Sequence, residues 1–371
     1  MSDSGLRSGF TTGTCAAAAA KGASYMLLSG RKLTDISVGT PAGKAFSAPL
    51  LAVQKEEKSV SCAVKKDAGD DPDVTDGVLV FAKVSLDERD DGHAGGLPQV
   101  VIDGGEGIGR VTMPGLDQPV GAAAINSVPR QMIREAVEEV CRLFDHQGRL
   151  SVVISVPTGE AIAKRTMNGK LGIVGGISIL GTTGVVAPMS AEALLAAIRL
   201  EIHQKKVLGA QVLPLAIGNY GKRFLQEQYG CDLDAFVKCS NFVGDAVWMA
   251  VEEGFEKVLL VGHIGKMVKL AGGKRNTHSK YGDCRMEQLA SALIAAGGGA
   301  KTVRGVLGSV STEEAIRWIE ESGLLQPVMD VIMGKIMDTL NKIAYPKADV
   351  KCLVFSNGYG VLGMSDGFWC E

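Results

Sequence analysis

From Leu150 to the end of the chain, short apolar runs alternate with glycine turns and helical stretches. A strand followed by a helix and then by another strand is the repeating unit of parallel α/β sheets. Five runs fit the strands of such a sheet: LSVVISV, LGIVGG, VLPLAIG, KVLLVGHIG and VKCLVFSNGYG. The pattern therefore predicts a doubly wound parallel sheet, and it restricts the fold more than any other feature of the sequence.

The first part of the chain follows a different pattern. Its β-like runs LTDISV, AFSAPLLAV, SVSCAV and VLVFAKVSL are separated by glycine, proline and charged turns, which predicts hairpins in an antiparallel or mixed sheet. Helices are expected at residues 14–29, ended by Gly30, and near Pro129–Phe144. The polar segment 145–149 marks the expected boundary between an α+β domain over residues 1–147 and an α/β domain over residues 148–371.

Bulk properties narrow the class of protein. A length of 371 residues exceeds what one hydrophobic core usually serves, and a formal charge of −2 gives no reason to expect nucleic acid. The eight cysteines form no C-x-x-C pair and no signal peptide is visible, so we expect reduced thiols in a cytoplasmic protein. The uncharged stretch 171–191 is long enough to span a bilayer, but its five glycines and its proline favour buried strands.

The turn GIVGGISILGTTG, residues 172–184, is the richest glycine segment. Ligands of open parallel sheets bind where the strands end, and glycines let the backbone approach a ligand closely. The turn matches neither the G-x-G-x-x-G pattern nor a Walker A loop. A tight structural crossover between buried strands explains the same glycines equally well.

The segment GHIGKMVKLAGGKRNTHS, residues 262–279, gathers bases and hydrogen-bond donors after a predicted strand. Such a set suits an anionic ligand, with a solvated charged face as the alternative. Zinc at His263 and His278 is disfavoured because no cysteine or carboxylate has the usual spacing. Asn241 and Asp245 fit helix caps as well as ligand contacts.

Three further patterns leave alternatives open. The aspartates in residues 67–73 lack EF-hand spacing, which favours a turn network over a calcium or magnesium site. Arg130 and Arg134 lie one helical turn apart and fit either a carboxylate clamp or a solvated surface. Thr12 or Thr14 can cap a helix that begins an anion site, and the alanines after it allow close packing.

Long motifs in a fixed order resemble the CbiD family, the cobalt-precorrin-5B C1-methyltransferases of anaerobic cobalamin biosynthesis. The motifs are LRSGFTTGTCAAAAAKGA, VKKDAGDDPDVTDG, INSVPRQMI, SVPTGEAIAKRT, LGIVGGISILGTTGVVAPMS, GNYG, SNFVGD and GHIGKMVKLAGG with NTHS. The resemblance implies an S5-domain-2-like α+β region joined to a Rossmann-like region. It also implies methyl transfer from S-adenosylmethionine to a macrocycle that already contains cobalt, so no protein-bound metal is expected.

The resemblance also implies site residues. We expect the cosubstrate at the glycine turn, at Gly172, Gly175, Gly176, Gly181, Thr182 and Thr183. The macrocycle carries many carboxylates, so we expect it at Thr11, Thr12, Thr14, Arg110, Arg130, Asn241, Lys266, Lys269, Arg275, Asn276 and His278. His263 and Asp245 are the candidates for a general base, although an enamine-like carbon can react without one.

Two other functions fit the residues. An ATP-using α/β enzyme would hold phosphate in the glycine turns, but a Walker loop is absent from the sequence. A corrinoid carrier would bind the macrocycle without turnover, and its cleft needs similar residues. We expect a small-molecule partner and neither nucleic acid nor a membrane, while a homo-oligomer stays an open alternative.

Overall fold

The computed structural model describes residues 5–87, 99–218, 224, 226–228, 230 and 235–367. The chain divides into two compact units, Met1–Ser190 and Ala191–Glu371. Each unit contains a five-stranded sheet with both parallel and antiparallel neighbours. The protein is therefore a mixed α and β structure built on mixed sheets.

The first unit is rich in short strands. Its strands are β1 (Gly9–Phe10), β2 (Asp35–Gly39), β3 (Ala45–Pro49), β4 (Leu51–Lys55), β5 (Ser59–Lys65), β6 (Leu79–Leu86), β7 (Gln99–Gly104), β8 (Arg110–Val111), β9 (Arg149–Ser155), β10 (Ile173–Val174) and β11 (Val185–Val186). Its helices are α1 (Thr12–Ser29), α2 (Ser127–Leu143) and α3 (Gly159–Ala163). The main sheet has the order β4-β5-β6-β9-β7, and only the β7–β9 pair is parallel.

The division of the chain falls later than the predicted boundary between residues 147 and 148. Strand β9, predicted to open the second domain, instead pairs with β6 on one side and β7 on the other. The run LGIVGG was predicted as a strand of the parallel sheet, but it contributes only the short β10, which pairs with β8. Apolar runs reveal that a segment is buried, but they do not identify the sheet in which it is buried.

Helix α1 forms the centre of the first core. Residues Cys15–Ala20 are at most 1% exposed, and the helix packs on α2 and on β5 and β6. The small alanine side chains allow this close approach on more than one face. The helix ends as predicted at Gly30, whose φ of 72° is a left-handed conformation that glycine adopts readily.

The second unit is mainly helical around one sheet. Its helices are α4 (Ala191–Val207), α5 (Val243–Glu252), α6 (Ile264–Ala271), α7 (Arg285–Ala295), α8 (Ala300–Gly308), α9 (Thr312–Glu321) and α10 (Leu325–Ala344). Its strands are β12 (Val212–Ala216), β13 (Val237–Lys238), β14 (Lys257–His263), β15 (Asp349–Ser356) and β16 (Gly360–Met364). The order is β13-β12-β14-β15-β16, and all pairs except β15–β16 are parallel.

Three predicted strands of the parallel sheet are present as β12, β14 and β15. Alternate residues of these strands enter two separate apolar clusters, one on each face of the sheet. Val258 and Leu260 belong to the larger cluster with the helices, whereas Leu259 and Val261 pack in the smaller one. Both faces are buried, as expected for parallel strands.

Within the described part of the chain, no helix is long and apolar enough to cross a membrane. The uncharged stretch 171–191 contains only β10, β11 and the turns around them before α4 begins. The six cysteines in that part of the chain are free thiols. Burial raises the pKa of the Cys15 thiol to about 12, so this group is inert at neutral pH.

Candidate functional site

Thr11, Thr12 and Thr14 fix the loop of residues 180–184 in the first unit. The Thr14 hydroxyl donates to the Gly184 carbonyl at 2.7 Å, and the Thr12 hydroxyl lies 3.3 Å from both the carbonyl oxygen and the amide nitrogen of Leu180. Thr11 caps α1 by accepting a hydrogen bond from the amide of Thr14. All three are less than 7% exposed, so their hydroxyls fix the loop between Leu180 and Gly184.

Most glycines of the turn 172–184 are needed for close packing. A Cβ atom on Gly176 would lie 2.2 Å from the Gly107 carbonyl oxygen, and one on Gly181 would lie 2.5 Å from the Thr11 hydroxyl. A Cβ on Gly172 would meet the Met113 side chain at 2.7 Å. These glycines therefore serve the structural crossover that the sequence left as an alternative.

Part of the same turn is exposed to solvent. Gly175, with a φ of 85°, has no atom within 4 Å of an added Cβ. Thr182 and Thr183 are exposed. Of the six residues predicted for the cosubstrate, these three have surface available for a ligand.

The two arginines predicted as clamps in the first unit have protein partners. Arg110 forms a two-pronged ion pair with Asp103 at 2.7 and 3.0 Å, and its hydrogen bond lowers the pKa of that carboxyl. Arg130 donates to the backbone carbonyls of Ile125, Ile102 and Ala123. Burial lowers the pKa of Arg130, and this residue pins α2 to the neighbouring backbone.

The aspartates of residues 67–73 form a turn network. Asp67 pairs with Arg7, whose hydrogen bond lowers the pKa of Asp67 to about 2. Asp73 accepts hydrogen bonds from Thr75 and from the Lys66 ammonium, which is 2.7 Å away and 2% exposed. In the residues that the structure describes, no cluster of His, Cys, Asp and Glu has the arrangement of a metal site.

The carboxyl edge of the second sheet is the position where ligands of such sheets bind. Strand β13, which follows β12 in sequence, lies on one side of it, and the next strand β14 lies on its other side. The strand order therefore reverses at β12. A crevice forms outside the strand ends at such a switch point. His263 lies at the end of β14. Residues 219–221, which complete the motif GNYG after β12, lie outside the described residues.

In the described part of the chain only one ring nitrogen of His263 makes a hydrogen bond. Nδ1 accepts a hydrogen bond from the Gly265 amide at 3.1 Å, which places the proton of the neutral ring on Nε2. Nε2 is buried 3.2 Å from Glu313 Oε1, and it makes no hydrogen bond within the described residues. His263 caps α6 and faces a carboxylate, an arrangement that leaves it no free lone pair for a general base.

Glu313 is a candidate site residue that the sequence did not reveal. Its carboxylate accepts from the Ser356 hydroxyl at 2.7 and 2.8 Å, and Ser356 is the last residue of β15. Ser356 is 1% exposed, whereas the Glu313 side chain is 38% exposed. The signal that could have found it is the capping box Ser311–Glu314, which marks the start of α9 and puts Glu313 in its first turn.

A group of cations surrounds Asn241 and Thr277. Lys266 donates to Asn241 Oδ1 at 2.9 Å, and the Thr277 hydroxyl donates to the same oxygen at 3.1 Å. Burial lowers the pKa of Lys266, and the nearby charges of Lys269 and Arg285 lower it further. Three of the predicted macrocycle contacts, Asn241, Lys266 and Lys269, are thus brought together.

Lys269 is the most buried of these cations. Its side chain is 4% exposed, and its ammonium donates to the Thr277 carbonyl at 3.3 Å. Its charge also acts on the Asp283 carboxylate, whose pKa it helps to lower, but within the described residues no hydrogen bond or ion pair joins the two groups. The cluster therefore suits an anionic group of a ligand.

The remaining predicted residues lie in the loop of residues 275–278 after α6 or on helix α5. Asn276 Oδ1 accepts from the His278 amide and His278 Nδ1 accepts from the Lys280 amide, so both shape the turn. The Arg275 side chain is exposed. Asp245 is exposed in the first turn of α5, and within the described residues no hydrogen bond or ion pair joins it to His263.

Comparison with known proteins decides the family. The family model CbiD matches residues 1–188, and the model CbiD, C-terminal domain, matches residues 276–366. The chain belongs to the CbiD family. The resemblance found in the motifs is confirmed, and the CbiD match includes the threonines and the glycine turn, while the C-terminal match includes Glu313 and Ser356.

Two curated relatives of this CbiD chain are named cobalt-precorrin-5B C(1)-methyltransferase. The protein from Ruminiclostridium cellulolyticum is 43% identical and covers 95% of this chain and 89% of its own length. The protein from Alkaliphilus metalliredigens is 42% identical and covers 96% of this chain and 92% of its own length. A crystal structure of the cobalamin biosynthesis protein cbiD from Archaeoglobus fulgidus is 27% identical, covers 74% of this chain and 83% of that chain, and has a TM-score of 0.40.

Proposed function

We propose that this CbiD chain methylates C1 of cobalt-precorrin-5B with S-adenosylmethionine and gives cobalt-precorrin-6A and S-adenosylhomocysteine. The observation that carries the proposal is 43% identity, over 95% of the chain, to a protein of that name. The same proposal includes a cytoplasmic location, an S5-domain-2-like first unit and a Rossmann-like second unit. The parallel strand order of the second sheet supports the last of these.

The chemistry makes modest demands on the protein. The C1 carbon supplies an electron pair for the new C–CH3 bond while the S–CH3 bond breaks and its electron pair stays on sulfur. The methyl group is already activated by the sulfonium charge, so alignment in line with C1 is the main contribution of the protein. A covalent enzyme intermediate is unnecessary, and the sequence contains no G-x-S-x-G nucleophile elbow.

The cation cluster supports a ligand that carries several carboxylates. Lys266, Lys269 and Arg285 lie near one another, and Asp283 is the carboxylate held by Arg285 at 2.7 Å. We assign Lys269 and Lys266, with Asn241 beside them, to a carboxylate of the macrocycle. A carboxylate there would complete the coordination of the Lys269 ammonium.

We assign proton acceptance to Glu313 rather than to His263 or Asp245. The methyl group comes from a cation, so the macrocycle gains one positive charge, which the release of one proton removes. Glu313 holds an accessible carboxylate at the sheet edge, Ser356 orients it through its hydroxyl, and the His263 ring lies 3.2 Å from it. His263 is then a positioning residue.

Replacing Glu313 with glutamine tests this assignment. We expect kcat to fall by about a hundredfold, the usual contribution of a positioned base, with little change in KM. Glu321 is exposed at the other end of α9, so Glu321→Gln is the control. An unchanged kcat in Glu313→Gln would show that the reaction needs no base at this position.

The overall function is tested with purified protein under anaerobic conditions. Incubation with cobalt-precorrin-5B and S-adenosylmethionine should add the mass of one methyl group and form one equivalent of S-adenosylhomocysteine. ATP and Mg²⁺ should change nothing, which separates the reaction from that of an ATP-using enzyme. Tight macrocycle binding without any mass increase would identify a carrier.

A further inference from the structure

A groove of about 750 Å³ lies in the first unit between α1, α2 and the β2–β3 hairpin. Its volume is within the range of small-molecule sites, which is about 300–1,000 Å³. Small or flexible apolar side chains line it, among them Ala17, Met132 and Ala136. Larger residues in place of the two alanines would fill this space, so Ala17 of α1 and Ala136 of α2 both shape the groove.

Two of the three charged side chains that line the groove are acidic. Glu135 and Glu139 line it together with Arg142, while Lys21 pairs with Glu139 at 2.7 Å. Glu135 accepts a hydrogen bond from Gln131, and in the described part of the chain no salt bridge to a lysine, arginine or histidine involves Glu135. An unneutralised carboxylate beside an apolar surface favours a cation and repels a polycarboxylate.

Thr182 lines the groove from the glycine turn. Its neighbour Gly181 packs directly on Thr11, the cap of α1, and the main chain on both sides is bonded to the start of that helix. The Thr182 hydroxyl is thereby carried by an anchored segment. A fixed polar group over an apolar surface is the usual arrangement that orients a small ligand.

We propose that this groove binds the cationic, nucleoside-bearing cosubstrate S-adenosylmethionine, with Glu135 facing its positive charge and Thr182 donating to its polar edge. The inference rests on the proposed function and names the cosubstrate site for it. The sequence predicted that the cosubstrate contacts Gly172, Gly176 and Gly181. These glycines pack tightly against neighbouring atoms of the first unit, so the groove is proposed in their place. The alanines give the adenine ring room for close contact.

Two variants test the groove by direct binding, without turnover. Thr182→Phe places a ring in the groove, and Glu135→Lys reverses the charge of its rim. Calorimetry should show the Kd for S-adenosylmethionine raised by at least about tenfold in each, a loss typical of a charge-assisted contact. Thr34→Phe and Glu57→Lys make the same changes at exposed residues of the first unit outside the groove lining, and they should bind as the wild type does.

The outcomes separate the site from the function. Unchanged Kd values in Thr182→Phe and Glu135→Lys, or no binding by the wild type, would overturn the groove assignment. Weakened binding with wild-type melting curves would support it, whether or not methyl transfer is detected. Methyl transfer by both variants at wild-type KM for the cosubstrate would leave the function standing and place the cosubstrate elsewhere.

Discussion

Replacing Gly176 with alanine is expected to lower the free energy of unfolding of the first unit by about 4 kcal/mol or more. The added Cβ would lie 2.2 Å from the Gly107 carbonyl oxygen and 2.3 Å from its carbon, and both are backbone atoms that cannot rotate away. Gly107 cannot retreat, because a Cβ built on it would lie only 1.8 Å from the Val156 carbonyl oxygen. Thermal unfolding followed by circular dichroism would measure the loss.

Gly175→Ala is the matched control for this prediction. Gly175 is the adjacent residue, and an added Cβ finds open space there. Its φ of 85° adds the strain of a left-handed residue, about 1–2 kcal/mol. Equal stability of the two variants would contradict the packing role assigned to Gly176. A severe loss in Gly176→Ala would also mean that failed cosubstrate binding by this variant says nothing about a direct contact.

Replacing Lys269 with methionine is expected to weaken macrocycle binding by about a hundredfold and to leave the protein at least as stable as the wild type. The affinity falls because a charge-assisted bond to a carboxylate is lost. The stability is kept because methionine fills a similar volume and removes the desolvation of an ammonium that is 4% exposed. If Lys269 served only the structure, Lys269→Met would bind the macrocycle as the wild type does and would be less stable.

The measurement compares the KM for the macrocycle with the melting temperature. Lys280→Met is the control, because Lys280 lies in the same region but is exposed and contacts the Tyr281 ring. It should leave both quantities close to those of the wild type. A strongly destabilised Lys269→Met protein with normal KM would show that Lys269 belongs to the core and not to the site.

The sequence predicted local structure well where one feature determined it. Gly30 ended α1 because a left-handed residue closes a helix, and β12, β14 and β15 followed from apolar runs between glycine turns. The predicted boundary after residue 147 precedes the division into compact units after Ser190, because β9 and the run LGIVGG looked like strands of the second sheet. Strand pairing depends on partners far along the chain, and a short apolar run does not identify them.

The candidate site shows the same limit. Lys266, Lys269 and Asn241 were predicted from donors clustered after strands, and folding brings them together. Arg130 had the residue type of a clamp, but its guanidinium is used by three backbone carbonyls that only the fold places around it. Glu313 was missed because its partners His263 and Ser356 are about fifty and forty residues away in sequence.

The most direct test of the proposed function is the position of the transferred carbon. The wild-type protein would be incubated anaerobically with cobalt-precorrin-5B and S-adenosylmethionine labelled with ¹³C in its methyl group, and the product examined by NMR. We predict one labelled methyl group, attached to C1 of the macrocycle. Label at another carbon, or no label in the macrocycle, would contradict the assignment of this chain as a C1-methyltransferase.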